Sequence, residues 1–157
     1  MIFVATGTQF PFDRLIQMMD KWALENSEKV IAQIGNGDYI PENIEWQRFI
    51  DIDEYNSNIK QASIFVSHAG MGNIISAKEQ NTPIVVINRQ AKLGEHRNDH
   101  QAEGLEWMGK LDGVYTATNK ETLYAQLEQR EEKQSNHTDS NQNIDQLVDF
   151  IDQLIRS

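Results

Sequence analysis

Three short runs of unbroken apolar residues limit this chain to very few architectures, because each is followed by a turn and a segment of helical spacing. The runs are Ile2-Phe3-Val4-Ala5, Ile64-Phe65-Val66 behind Ser63, and Ile84-Val85-Val86-Ile87 directly behind Pro83. A strand without polar alternation has no face to give to water, so it belongs inside a parallel sheet covered on both sides. Further strands are expected at Lys29 to Ile34, stopped by Gly35-Asn36-Gly37, and at Val114-Tyr115. Trp46 to Ile50 reads as a short strand nearer an edge.

Helices fill the gaps. Pro11 and Phe12 open one whose apolar positions Leu15, Ile16, Met19, Trp22 and Ala23 follow helical spacing. Asp53 is the expected cap of a second over Glu54 to Ala62, its carboxylate accepting from first-turn N–H groups. Gly70 to Gln80 and His96 to Met108 read as helices, and Asn119 begins another that runs to about Lys133. Strands separated by helices imply right-handed crossovers, so the fold class is α/β, a doubly wound parallel sheet. A ligand site in such a sheet lies at the carboxyl ends of the strands.

Length allows one such domain, since 157 residues are short for two. Gln134 to Asn143 holds no apolar residue and reads as a polar linker. Ile144, Leu147, Val148, Ile151, Leu154 and Ile155 then line one face of a terminal amphipathic helix over 144–157. The domain proper is therefore 1–133.

Charge and composition remove several function classes. A formal net charge of −10 opposes the phosphate-backbone electrostatics of a nucleic-acid binder, so no nucleic-acid partner is expected. A small anion is still compatible, since a helix N-terminus can hold phosphate inside an acidic protein. There is no cysteine, and His68, His96, His100 and His137 lack the spacing of metal ligands, so no metal site is expected. The N-terminal apolar run is too short for a signal peptide, and no stretch approaches the ~20 apolar residues of a spanning helix. The expectation is a cytoplasmic chain that something else must bring to any membrane.

Three polar clusters fall after strands. Thr6-Gly7-Thr8-Gln9 follows the first, and its small residues let a backbone approach phosphate or sugar oxygens. It lacks GxGxxG spacing and is equally a tight turn with Thr8 or Gln9 as a cap. Ser67-His68-Ala69-Gly70-Met71-Gly72-Asn73 leads from a buried strand into a helix, so its N–H groups converge where a diphosphate could sit. Gly70 and Gly72 clear the approach, and His68 and Asn73 can each donate to a phosphate oxygen. A glycine-containing turn beside a core histidine would carry the same letters. The third cluster is Arg89 with Gly94-Glu95-His96-Arg97-Asn98-Asp99-His100-Gln101, in which Asp99 and Gln101 suit bidentate bonding to sugar hydroxyls. Alone, it reads as a solvated loop with a helix cap.

In order along the chain, Gly7-Thr8, Pro11-Phe12-Asp13-Arg14-Leu15, Gln33-Ile34-Gly35, Ser67 to Gly72, Pro83 with its strand and Arg89, Gly94-Glu95-His96 and Asp99-His100-Gln101 resemble the C-terminal, donor-binding domain of glycosyltransferase family 28. Within that family the chain more closely resembles the small catalytic subunits of split transferases of bacterial exopolysaccharide and capsule synthesis. It is also similar to the small subunit of the eukaryotic N-acetylglucosaminyltransferase that acts on dolichol-linked chitobiose. The resemblance covers roughly residues 1 to 118 and implies a Rossmann-like, single GT-B half domain.

That resemblance implies a UDP-sugar donor, inverting transfer to a lipid-linked saccharide, and no cofactor or bound metal. It implies diphosphate contacts from Thr8 and the segment His68, Gly70, Met71, Gly72, Asn73, with Gln9 also in the donor site. Gly35, Arg89 and Glu95 join the donor site, while Asp99, His100 and Gln101 contact or orient the sugar. His68 is the catalytic candidate of this chain, although a partner residue is the favoured base. Many relatives carry Glu where this chain has Ser76, and Glu79 is a candidate substitute on the ribose. Asn73 stands where Ser or Thr is more usual.

Two-domain transferases of this fold carry an acceptor-binding domain ahead of the donor domain, and with Met1 directly before the first strand that domain is expected to be missing here. The resemblance therefore implies a membrane-anchored acceptor-binding subunit that recruits the chain to the inner face of the cell membrane. The terminal helix docks either there or on its own domain. A non-catalytic nucleotide-sugar-binding regulatory subunit and an epimerase-like enzyme stay open as alternatives, the second weakened by the lack of a second domain.

Overall fold

The computed structural model of the protein describes residues 1–7, 11–87 and 110–129. They form six strands: β1 (Ile2–Ala5), β2 (Val30–Gln33), β3 (Glu45–Gln47), β4 (Ile64–His68), β5 (Ile84–Ile87) and β6 (Val114–Ala117). Four described helices accompany them: α1 (Asp13–Asn26), α2 (Ile52–Gln61), α3 (Met71–Glu79) and α4 (Lys120–Glu128). All strand pairings are parallel, in the order β3-β2-β1-β4-β5-β6. This is the doubly wound sheet expected from the unbroken apolar runs.

Alternation within β1 explains why both faces are covered. Ile2 and Val4 point into a core with Val30, Ala32, Val66, Val85 and Ile87, closed by Leu15, Ile16, Met19 and Trp22 of α1 and Leu123 and Leu127 of α4. Phe3 and Ala5 point into the opposite core with Phe65, Ile84 and Val86, closed by Ile59 of α2 and Ile74 and Ala77 of α3. Each strand residue therefore removes apolar surface from water, at roughly 25 cal/mol per Å², whichever way it points.

Several boundaries differ from the sequence reading. The cap of α2 is Asp51, whose side chain accepts from Glu54 N–H; Asp53 lies inside the first turn, where its charge still favours the helix N-terminus. The third strand covers Glu45–Gln47 instead of Trp46 to Ile50, and all three residues are exposed, as suits an edge. Asn119 does cap α4, in a capping box with Thr122, but the helix ends at Glu128 with Gln129 as its C-cap, short of Lys133. The expected helix at His96 to Met108, the linker at 134–143 and the terminal helix at 144–157 lie outside the described residues. Among the described residues, no helix is long and apolar enough to cross a membrane.

Candidate functional site

The strand order reverses direction at β1, with β2 added on one side and β4 on the other. Connections leaving the carboxyl ends of β1 and β4 run to opposite faces and open a crevice between them, the usual ligand position in such sheets. In register, Ala5 stands beside Ser67 on that edge and beside Gln33 on the other side. Thr6-Gly7 and His68 to Asn73 therefore emerge next to each other. The two clusters lie over 60 residues apart in sequence, and the topology alone brings them to one crevice.

The β1 turn is held by buried Thr6, whose N–H and Oγ1 both donate to the Gln33 carbonyl, at 3.0 and 3.2 Å. Gly35 packs on this turn from the end of β2. Its φ is +63°, and a Cβ there would stand 2.9 Å from the Gly7 carbonyl oxygen, so only glycine fits. The Gly35 N–H donates to Arg48 O at 2.8 Å, and the Arg48 guanidinium donates back to the carbonyls of Gly35 and Gly37, at 3.1 and 2.9 Å. The structure thus gives Gly35 a backbone reason that the sequence did not disclose.

The turn after β4 is built to leave backbone donors at its surface. Gly70 is the N-cap of α3 and offers no side-chain cap. The N–H groups of Met71, Gly72 and Asn73 in the first turn have no acceptor within the helix, and the helix dipole adds partial positive charge there. Around Gly72, an added Cβ would meet nothing within 4 Å among the described residues. Gly70 differs: its Cβ would fall 2.6 Å from Nε2 of His68. The imidazole occupies the space that Gly70 leaves empty.

His68 ends β4 and is half-buried. Its Nδ1 lies 3.3 Å from Nδ2 of Asn73 on α3, and Oδ1 of Asn73 accepts a hydrogen bond from the Tyr55 hydroxyl. Tyr55 comes from α2 and is edge-on to both Phe3 and Phe65, with ring centroids 5.6 and 6.0 Å away. Burial pushes its hydroxyl well above the ordinary tyrosine range, so it stays protonated and able to donate. Sequence reasoning missed Tyr55, since its partner is 18 residues away. The signal available was Ile59 one turn later, which marks that side of α2 as the inward one.

The structure brings His68, Gly70, Met71, Gly72 and Asn73 together, with Gly35 behind the adjoining turn. Ser76 is half-buried along α3. Glu79 is the last residue of α3 and exposed, roughly 9 Å of helix rise beyond Asn73 and away from the strand carboxyl ends. It is not brought to the crevice. Thr8, Gln9, Arg89, Glu95, Asp99, His100 and Gln101 lie outside the described residues. Among the described residues, no group of three metal-ligating side chains stands together.

Comparison with known proteins agrees with this arrangement. The model of the glycosyltransferase family 28 C-terminal domain matches residues 1–154. The human protein named UDP-N-acetylglucosamine transferase subunit ALG13 is 29% identical over 128 residues, covering 74% of this chain and 11% of the human protein. The chain thus spans about a tenth of the length of that curated relative. Among solved structures, the glycotransferase of kitacinnamycin superposes with a TM-score of 0.63 at 17% identity, covering 95% of this chain and 38% of its own. The solution structure of ALG13 superposes with a TM-score of 0.59 at 16% identity, covering 85% and 86%. At such identities the superpositions speak for the fold, the Rossmann-like half domain of GT-B glycosyltransferases. A match that runs almost from end to end carries more than a shared sheet: this chain belongs to the glycosyltransferase family 28 C-terminal domain family.

Proposed function

We propose that this chain is the donor-binding catalytic subunit of a two-component inverting glycosyltransferase that takes its sugar from a UDP-sugar. The observation that carries this reading is the turn after β4, where first-turn N–H groups of α3, His68 and Asn73 converge at the switch point of the sheet. A diphosphate is the ligand chemistry such a turn suits. Thr8 and Gln9 are proposed to complete the diphosphate contacts, with Gly35 shaping the crevice wall. Arg89, Glu95, Asp99, His100 and Gln101 are proposed on the donor sugar side.

In the reaction an acceptor hydroxyl oxygen attacks the anomeric carbon as the bond from that carbon to the diphosphate oxygen breaks. Negative charge grows on the departing UDP, and we assign its stabilisation to the α3 N-terminus and His68, a reading that calls for no cofactor or metal. The hydroxyl proton goes to a base, which we assign to a partner subunit. The partner is supported by the human relative's name, which is that of a subunit. We propose that it is membrane-anchored, binds a lipid-linked saccharide of exopolysaccharide or capsule synthesis, and recruits this chain from the cytoplasm to the inner face of the membrane.

Isothermal titration of UDP and several UDP-sugars into the purified chain and its His68→Ala variant tests the reading. Saturable UDP binding, weakened about ten-fold or more in the variant, supports it, since a hydrogen bond to a charged group contributes about 1.5–3 kcal/mol. Absence of binding at millimolar UDP, with and without a co-expressed partner, rejects it.

A further inference from the structure

We infer that Tyr55 is a positioning residue for His68: acting through Asn73, it sets which imidazole nitrogen carries the proton, so that His68 meets a diphosphate oxygen as an Nε2–H donor. The inference rests on the reading of the β4–α3 turn as a diphosphate site.

The argument is one of donors and acceptors. A carboxamide has one end that only accepts and one that only donates. Oδ1 of Asn73 takes the Tyr55 hydroxyl proton in its hydrogen bond, which leaves Nδ2 facing Nδ1 of His68 at 3.3 Å. An N–H opposite a ring nitrogen needs a lone pair there, so Nδ1 is the acceptor and the proton of the neutral ring sits on Nε2. Nε2 is the nitrogen lying over Gly70, the N-cap of the helix whose first turn holds the Met71, Gly72 and Asn73 N–H groups. His68 and the three first-turn N–H groups then all present donors. Were the Asn73 amide turned about, Nδ1 would carry the proton and Nε2 would present a lone pair to phosphate oxygen, which repels it.

Packing fixes where the Tyr55 hydroxyl meets the amide, and the hydrogen bond it donates to Oδ1 sets which way the amide faces. Tyr55 is clamped edge-on between Phe3 and Phe65, so its hydroxyl approaches Asn73 from one direction only. Asn73 carries its acceptor and its donor on separate atoms, so one side chain meets both Tyr55 and the imidazole. In this tautomer the nitrogen over Gly70 already bears its proton, which accords with assigning the base to a partner subunit.

The test is a two-bond nitrogen–proton correlation spectrum of the ligand-free chain labelled with 15N-histidine, read for wild type, Tyr55→Phe and Asn73→Ala. Phenylalanine keeps the ring contacts, so Tyr55→Phe should melt close to wild type. The expected result is a predominant Nε2–H tautomer of His68 in wild type and a mixture of tautomers in both variants. UDP titrated into the same samples should bind about three- to ten-fold more weakly to Tyr55→Phe, the effect of losing one orienting hydrogen bond. An Nδ1–H tautomer in wild type, or an unchanged tautomer in Tyr55→Phe, overturns the relay. An Nε2–H tautomer that both variants lose, in a chain with no UDP affinity, upholds the relay and overturns the diphosphate reading instead.

Discussion

The carboxylate of Asp20 on α1 accepts a hydrogen bond from the Tyr39 hydroxyl at 2.6 Å, although Asp20 is only 3% exposed. Its two oxygens also accept the N–H of Glu42, at 3.1 Å, and Asn43, at 2.7 Å. The connection between β2 and β3 is thereby tied to the helix over the first core. Burial alone would raise this carboxyl's pKa, but the bonds from Tyr39, Asn43 and Glu42 outweigh it and hold the group below its ordinary value of 3.8. The same bond pushes the Tyr39 hydroxyl up to about 12.

A carboxyl depressed on folding contributes stability that is complete above its unfolded pKa and is lost as pH falls through the folded value. Wild type should therefore lose stability below about pH 3.8 more steeply than Asp20→Asn. At pH 7 Asp20→Asn should cost about 2 to 3 kcal/mol, because an amide nitrogen would face N–H donors that need acceptors. Urea melts at pH 7 and pH 3.5 read both effects, and equal pH slopes in the two chains would refute the assignment.

Lys78 has the opposite sign. It lies on α3, 2% exposed, with Nζ donating to the Asp112 carbonyl oxygen. Burial pulls its ammonium down to about 8, against the opposing charge of Asp112. Between about pH 8 and the ordinary 10.5 the unfolded chain then binds more protons at this site than the folded one, so stability attributable to Lys78 rises with pH. Lys78→Met should remove that rise. The unfolding free energy of the variant minus that of wild type should fall by on the order of 1–3 kcal/mol from pH 7.5 to pH 10.5. A difference that stays constant over this interval would show that Lys78 titrates normally.

The legible parts of the fold were those where one physical demand acts alone. Ile84 to Ile87 could only be a strand buried on both faces, and β5 has those bounds. The cap of α2 was not legible, because Asp51 and Asp53 are equivalent acids two residues apart and the choice depends on where the main chain begins to coil. Glu45-Trp46-Gln47 carries no burial pattern, since an edge strand needs none. At the site, the glycines and His68 were readable as a turn after a strand. The link from Tyr55 to Asn73 was not, because it depends on how α2 and α3 pack across β4. Glu79 shows the converse limit: proximity along a helix does not bring a side chain to the helix's other end.

Gly35 tests the crevice wall. Its φ of +63° lies in the left-handed region, and its Cβ would collide with backbone, the Gly7 carbonyl, that cannot turn aside. Gly35→Ala should lower stability by about 1 to 3 kcal/mol and displace the β1 turn, with UDP affinity falling alongside. Thermal melts with parallel titrations measure both. An alanine variant as stable as wild type would mean that the two turns do not press together as described.

Gly70 and Gly72 separate architecture from ligand binding, because the same substitution has different consequences at positions two residues apart. At Gly70, φ is −139°, which any residue adopts, so alanine brings no backbone strain. Its Cβ would instead stand 2.6 Å from Nε2 of His68 and drive the ring out of the space it occupies. Gly70→Ala should therefore fold normally while weakening UDP binding about ten-fold or more. At Gly72 nothing among the described residues lies within 4 Å of the added carbon, and the residue sits in a helix, where alanine is favoured by roughly 0.5–1 kcal/mol. Gly72→Ala should raise the melting temperature. Its methyl group would stand in the space left for the diphosphate, so affinity for UDP should fall even as the fold gains. A stabilised Gly72→Ala chain that binds UDP as wild type does would move the diphosphate off this turn.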